Sequence, residues 1–198
     1  MTPGMAKLRE FAEYRRIAGI DEIGRRYLAM NAFDGILTMI GVLMGSYVAG
    51  IREPRIVLST GMATCLAMGV SGFWGAYLTE SAERKHELQE LEHVMLTDMT
   101  NSKQARASRF AAAVVSVIDG LSPLVAGFVV LLPFVLNALW GDIAMSYGLS
   151  LGTALLLLFG LGVFLARVAN EHIVPAGIRM IVAGIICVIL SFFLAGGH

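Results

Sequence analysis

Five apolar runs, each long enough to cross a bilayer, constrain this chain more than any other feature. They cover about residues 29–50, 56–79, 109–138, 144–166 and 173–195. The hydrocarbon core of a membrane takes about 20 apolar residues of helix, and a helix satisfies every backbone group within itself. Hydrophobic residues make up 57% of the chain, and the mean hydropathy is +0.72. A soluble domain of 198 residues would not concentrate so much apolar character in uninterrupted stretches. The expected fold class is therefore an all-α integral membrane protein with five transmembrane helices. Lys+Arg and Asp+Glu both number 15, so no net charge points to a nucleic acid. Cys65 and Cys187 lie in apolar spans without a pairing motif and read as small packing residues.

One segment breaks the apolar pattern without breaking the helix. From Gly72 the chain runs GFWGAYLTESAERKHELQELEHVMLTDM to Met99, with no Gly or Pro after Gly75. From Ala76 to Thr100 it would be a helix about 37 Å long at 1.5 Å per residue, most of it in water. Glu83 and His86 are three apart, as are Glu90 and His93, so Glu-x-x-His occurs twice with a seven-residue period. Residues at i, i+3, i+4 and i+7 share a helix face, so Glu83, His86, Glu87, Glu90 and His93 can form one ladder of donors. Glu-x-x-His is also the spacing by which di-iron bundles project ligands inward. Carboxylate with imidazole suits Fe²⁺ or Mn²⁺, and Zn²⁺ too at this site. Met95 and Met99 lie near enough to add soft donors. A solvated helix, its acids paired with Arg84 and Lys85, is the competing interpretation. Acid outnumbers base over residues 80–98, and His recurs on the same face as Glu, which favours metal. A lone helix cannot complete a coordination shell, so the ladder needs a partner helix, most simply from a second subunit.

The expected division is an N-terminal amphipathic helix (1–28), spans one and two (29–79), the metal-binding helical segment (80–108) and spans three to five (109–198). In the first of these, Leu8, Phe11, Ile17, Ile20 and Ile23 lie among many charges, as in a helix lying at a membrane surface or packed on the metal-binding helix. It has no secretory apolar core, so no cleaved signal peptide is expected. Pro123 and Pro133 predict kinks in span three. Lys and Arg cluster before span one, between spans two and three, and at Arg167 and Arg179. The positive-inside rule then puts the N-terminus and the metal-binding helix in the cytoplasm and the C-terminus on the far side. Gly41-x-x-x-Gly45 and Gly148-x-x-x-Gly152 would allow close helix approach.

Two carboxylates fall inside spans. A charge at a helix centre costs about 2.5–3.5 kcal/mol on insertion scales, so Asp34 and Asp119 should face protein or a water-filled path. The alternative is a shallow position with a partner such as Arg26 or Arg109. Met30, Met39 and Met44 share a helix with Asp34, and Met62 and Met68 lie on the next, which would give a divalent cation soft stepping points. Methionine is equally ordinary packing material. Phe33-Asp34-Gly35-Ile36 and Ile118-Asp119-Gly120-Leu121 form a short echo between spans one and three, compatible with a parallel duplication.

Together these residues resemble the vacuolar iron transporter (VIT) family. Asp34-Gly35-Ile36 is similar to that family's Asp-Gly-Ile/Leu/Val motif in its first span. Gly75-Ala76-Tyr77-Leu78-Thr79-Glu80-Ser81-Ala82-Glu83-Arg84-Lys85-His86-Glu87 is similar, with one gap position removed, to the Gly-Glu-Tyr-x-Ser-x-x-Ser-Gln-Arg-x-x-Glu type of motif ending its second. Gly127 through Pro133 is similar to a Gly-x-x-x-x-Pro-like signature in its third. The chain departs from the pattern at Ala76, where the family usually has Glu, and at Gly72, where a Met is expected; Met68 stands one turn earlier. Its extramembrane segment is shorter than in plant members, and His86 and His93 are unusual there. The resemblance implies five spans, a dimer, and export of Fe²⁺ or Mn²⁺ from the cytosol against protons. No cofactor is expected to be permanently bound, and the metal is substrate.

On this reading Glu83, His86, Glu87, Glu90 and His93 collect the ion and Glu80 passes it to the membrane. Asp34 receives it and exchanges it for a proton, with Met68 on the path and Asp119 as a second coupling or supporting group. Glu171 and His172, at the end of span four, would complete the site. Short loops and compact size favour a prokaryotic plasma membrane. The rival functions are a membrane di-iron oxidase, which would consume oxygen and not need Asp34, and a metal-responsive scaffold, which would bind ions without moving them. A plain structural membrane protein would tolerate loss of Asp34 and of the ladder alike.

Overall fold

The computed structural model describes residues 19–98 and 102–195. These residues form five long helices: α1 (Ile20–Val48), α2 (Pro54–Met95), α3 (Lys103–Val135), α4 (Ile143–Ala169) and α5 (Ile173–Ala195), with a short 3₁₀ turn over Leu136–Leu139 after α3. All five are long and apolar enough to cross a membrane. The described residues contain no strand, so the all-α, five-span architecture stands.

The helix boundaries follow local chemistry. Pro54 occupies the first turn of α2, where its missing N–H costs nothing. Gly50, Leu96 and Asn170 close α1, α2 and α4 in the left-handed region, at φ 72°, 51° and 54°. At each end the next residue's N–H reaches back to a carbonyl of the last turn: Ile51 to Ser46, Thr97 to Glu92 and Glu171 to Ala166. Helix α2 thus stops at Met95, short of the expected Thr100, and Met99 lies outside the described residues. Asp142 caps α4 by accepting from the Ala144 N–H at 2.9 Å.

One further boundary differs from the sequence expectation. Helix α1 begins at Ile20, so the last nine residues assigned to a separate amphipathic segment are the first turns of the spanning helix. Leu8, Phe11, Ile17 and the rest of residues 1–18 lie outside the described residues, as do 196–198. Helix α2, by contrast, is continuous as expected. Its 42 residues amount to about 63 Å against a hydrocarbon thickness of about 30 Å, so roughly half of it projects beyond the apolar span.

The chain divides into two compact units. One takes the start of α1 up to Leu28 together with Val70–Leu121, that is, the charged half of α2 and the first half of α3. Within it the α1 start packs on α3, where a β-carbon at Gly24 would meet the Ile118 side chain at 2.9 Å. The other unit, Ala29–Gly69 with the chain from Ser122 onward, holds the main apolar core. Ile36, Met39, Ile40, Leu43, Leu131 and Phe134 are buried there among α1, α2 and α3, with Leu158 from α4. Phe134 and Tyr147 meet edge to face at 4.9 Å, and the Tyr147 hydroxyl donates to the Ile51 carbonyl at 3.2 Å. Pro123 and Pro133 both lie inside α3 without interrupting it.

Candidate metal path

The projecting half of α2 presents two different faces. At 100° per residue, Ser81, Arg84, Lys85 and Leu88 point one way and Glu83, His86, Glu87, Glu90 and His93 the other. The first set lines a groove against α3. The second is exposed at all five positions. His86 Nε2 and Glu90 Oε1 stand 3.6 Å apart, one turn along the ladder. Among the described residues, no three His, Cys, Asp or Glu side chains gather into a group that could hold a metal. The single chain therefore carries a row of donors on a solvent face, in the spacing expected, rather than a closed shell.

Glu80, at the membrane end of this row, is held differently from the rest. Its Oε1 accepts from the Tyr27 hydroxyl at 2.9 Å, and its Oε2 accepts from Arg84 Nε at 3.2 Å. Arg84 is 10% exposed and Glu80 14%. This is a partly buried triad that ties the start of α1 to α2. Each carboxylate oxygen retains a second lone pair, so a cation can still approach Glu80. Tyr27 was not legible as a partner, because it lies 53 residues from Glu80.

The same unit holds Asp119, 7% exposed on α3 and engaged by its surroundings. Gly72 on α2 faces it. A β-carbon at position 72 would lie 3.1 Å from both the Asp119 carbonyl oxygen and its carboxylate Oδ2. The absence of a side chain at 72, a departure from the family pattern, is thus what lets the Asp119 carboxylate sit against α2. Ala76, the other departure, is buried.

Asp34 belongs to the other unit, and its setting is the reverse. Its neighbour Gly35 is locked into the core: a β-carbon there would lie 2.6 Å from Pro123 Cα and 2.7 Å from the Pro123 oxygen. That contact fixes the rotation of α1 and turns Asp34 outward. Asp34 is exposed and has no hydrogen-bond or ion-pair partner among the described residues. Met30 and Thr38, one turn to either side, are also exposed. Farther along the same face, Gly41 and Gly45 have open space where a side chain would be. Gly148 and Gly152 on α4 are likewise open.

The methionines mostly serve packing. Met39 is wholly buried and Met44 6% exposed, both in the apolar core. Met39 Sδ lies 3.8 Å from Cys65 Sγ. Met62 and Met68 are partly buried against that core. Among the methionines named with Asp34, Met30 is the one left exposed, at 59%. Glu171 and His172 lie in the α4–α5 turn, where Glu171 pairs with Arg179 at 3.5 Å on the surface.

Comparison with known proteins adds to this arrangement. The sequence model of the VIT family matches residues 26–107, which run from the start of α1 through α2 into α3. The chain is also 27% identical over 176 residues to the uncharacterized protein MJ0645 of Methanocaldococcus jannaschii, covering 87% of this chain and 89% of that one. The matched stretch contains Asp34-Gly35-Ile36, Gly72, the Tyr27–Glu80–Arg84 triad and the whole donor ladder. Over residues 26–107, less than half of its length, this membrane protein is similar to the VIT family.

Proposed function

We propose that this protein is a homodimeric transporter that moves a divalent transition metal, Fe²⁺ or Mn²⁺, out of the cytosol in exchange for protons. The observation that carries the reading is Asp34: an exposed carboxylate on a spanning helix, one turn from Thr38 and on the same face as two glycines with open space around them. A charge left on lipid there would cost about 2.5–3.5 kcal/mol. A second copy laid on this small-residue face would cover it and enclose a polar path. The solvent-facing ladder fits the same assembly, since its donors need a second helix to close a shell.

In this scheme Glu83, His86, Glu87, Glu90 and His93 capture the ion in the cytoplasm. Glu80, oriented by Tyr27 and Arg84, passes it to the membrane. Asp34 takes the cation while losing a proton and regains a proton when the cation leaves, which couples the two fluxes. Asp119, buried and engaged, supports the framework beside Gly72. The N-terminus and ladder lie in the cytoplasm of a prokaryotic cell and the protein in its plasma membrane. The protein acts as a carrier, and the metal is cargo, with Zn²⁺ also able to occupy the ladder.

The test is metal uptake by liposomes carrying the purified protein, with Fe²⁺ kept reduced and an internal dye reporting pH. Expected is metal flux with opposing proton movement, abolished in Asp34→Ala and shifted to higher metal concentration in Glu83→Ala/Glu87→Ala. Binding without flux would overturn the transporter reading, and oxygen consumption with Fe²⁺ would replace it with an oxidase.

A further inference from the structure

Arg84 already occupies a position that a cation binding Glu80 would take. It lies one turn after Glu80 on α2 and holds its Nε 3.2 Å from Glu80 Oε2. The strong form of such a pair is bidentate, with two parallel N–H bonds to the carboxylate. Here Nε alone donates, and among the described residues the two terminal nitrogens of Arg84 have no hydrogen-bond partner. The side chain is nevertheless only 10% exposed, because it sits where α2 and α3 form a groove. This cation is firmly placed but tied to its carboxylate by one bond.

The surroundings supply both halves of an exchange. Glu80 is held from its other oxygen by the Tyr27 hydroxyl, which donates to Oε1 at 2.9 Å. The carboxylate therefore keeps a fixed point when Arg84 lets go. Arg84 in turn lines a groove of about 340 Å³ together with Ser81 and Ser108. Rotation of its side chain moves the guanidinium into that space, where hydroxyls and water accept its N–H groups. Lys85 and Arg109, on the same walls, are donors only, so neither side chain offers it an acceptor in place of Glu80.

We propose that Arg84 is a tethered counter-cation, which occupies Glu80 in the absence of metal and yields the carboxylate to a divalent ion. This inference rests on the transport reading above and names the residue that screens ions at Glu80. A monovalent ion brings Glu80 no more charge than the guanidinium already supplies. A divalent ion brings twice as much to the same oxygens and so displaces Arg84. The result is a threshold at the membrane end of the ladder, which keeps Na⁺ and K⁺ off Glu80 and admits Fe²⁺ or Mn²⁺.

The test is equilibrium binding of Mn²⁺ to the full chain in detergent, read from the electron paramagnetic resonance of the free ion, with and without excess Na⁺. Arg84→Gln should bind Mn²⁺ about tenfold more tightly at one site, and Arg84→Gln/Glu80→Gln should lose that gain. Na⁺ should compete for this site in Arg84→Gln and not in the wild type. Arg84→Lys, which keeps the charge, should bind as the wild type does. Unchanged or weaker Mn²⁺ affinity in Arg84→Gln would overturn the proposal and leave Arg84 a purely structural residue. Should Arg84→Gln fail to fold, the wild type decides. Its Arg84 Nε–H resonance, assigned by its absence in Arg84→Lys, should lose protection from water exchange with diamagnetic Zn²⁺ and keep it with Na⁺. Protection that survives saturating Zn²⁺ would overturn the proposal. None of these readouts involves flux, so a wild type that binds Mn²⁺ without moving it overturns the transport reading alone.

Discussion

Two Asp-Gly pairs lie in spans of this chain, and they have been put to different uses. At Asp34-Gly35 the glycine faces inward, pressed on Pro123, and the carboxylate is left outside on an open face of α1. At Asp119-Gly120 the carboxylate itself is inside, 7% exposed, with Gly72 making room for it from the facing helix. The same residue type is exposed in one place and buried and engaged in the other. What separates them is the partner helix: α3 offers backbone to Gly35, whereas α2 offers an empty position to Asp119. A buried, engaged carboxylate stabilises the fold but is hard to move a proton through. An exposed one in a span adds nothing to the fold of the single chain and is free to react.

Substitutions can sharpen or break this contrast. The largest expected effect is on transport: Asp34→Asn should lower metal flux into liposomes at least a hundredfold, while Asp119→Asn, which keeps the side chain's shape, should retain at least a third. Next is Gly35→Leu, whose side chain has nowhere to go against Pro123; thermal or denaturant melts should show a loss of about 3 kcal/mol or failure to fold. Asp119→Ala should cost about 2 kcal/mol by stranding the buried groups that engage it, whereas Asp34→Ala should stay within about 0.5 kcal/mol of wild type. Smallest is Gly72→Ala. Its β-carbon needs only a few tenths of an ångström from Asp119, a loss of about 1 kcal/mol in the same melts. Equal stability losses at Asp34 and Asp119 would erase the distinction.

The spans were legible because hydropathy alone decides which segments enter a membrane, and the continuity of α2 because no breaker follows Gly75. The start of α1 was not. Asp21, Glu22, Arg25 and Arg26 make residues 20–28 look like a surface helix, yet charge does not stop a helix, and α1 runs through them. The donor ladder was read from spacing, and its five residues do share an exposed face. The environments of Glu80 and Asp119 were hidden because Tyr27 and Gly72 come to them from other helices. Composition likewise could not tell whether a methionine packs or lines a path: Met39, grouped with Asp34 on the sequence, is wholly buried in the core.

The central claim is that Asp34 faces water enclosed by protein rather than lipid. It is tested most directly by Asp34→Cys in a Cys65→Ala/Cys187→Ala background, reconstituted in liposomes and treated with a membrane-impermeant, water-soluble thiol reagent. The account predicts labelling at that position, at a rate well above that of a cysteine placed at lipid-facing Leu156, which is 73% exposed on α4. Protection from the water-soluble reagent, with labelling by a lipid-soluble maleimide alone, would contradict it.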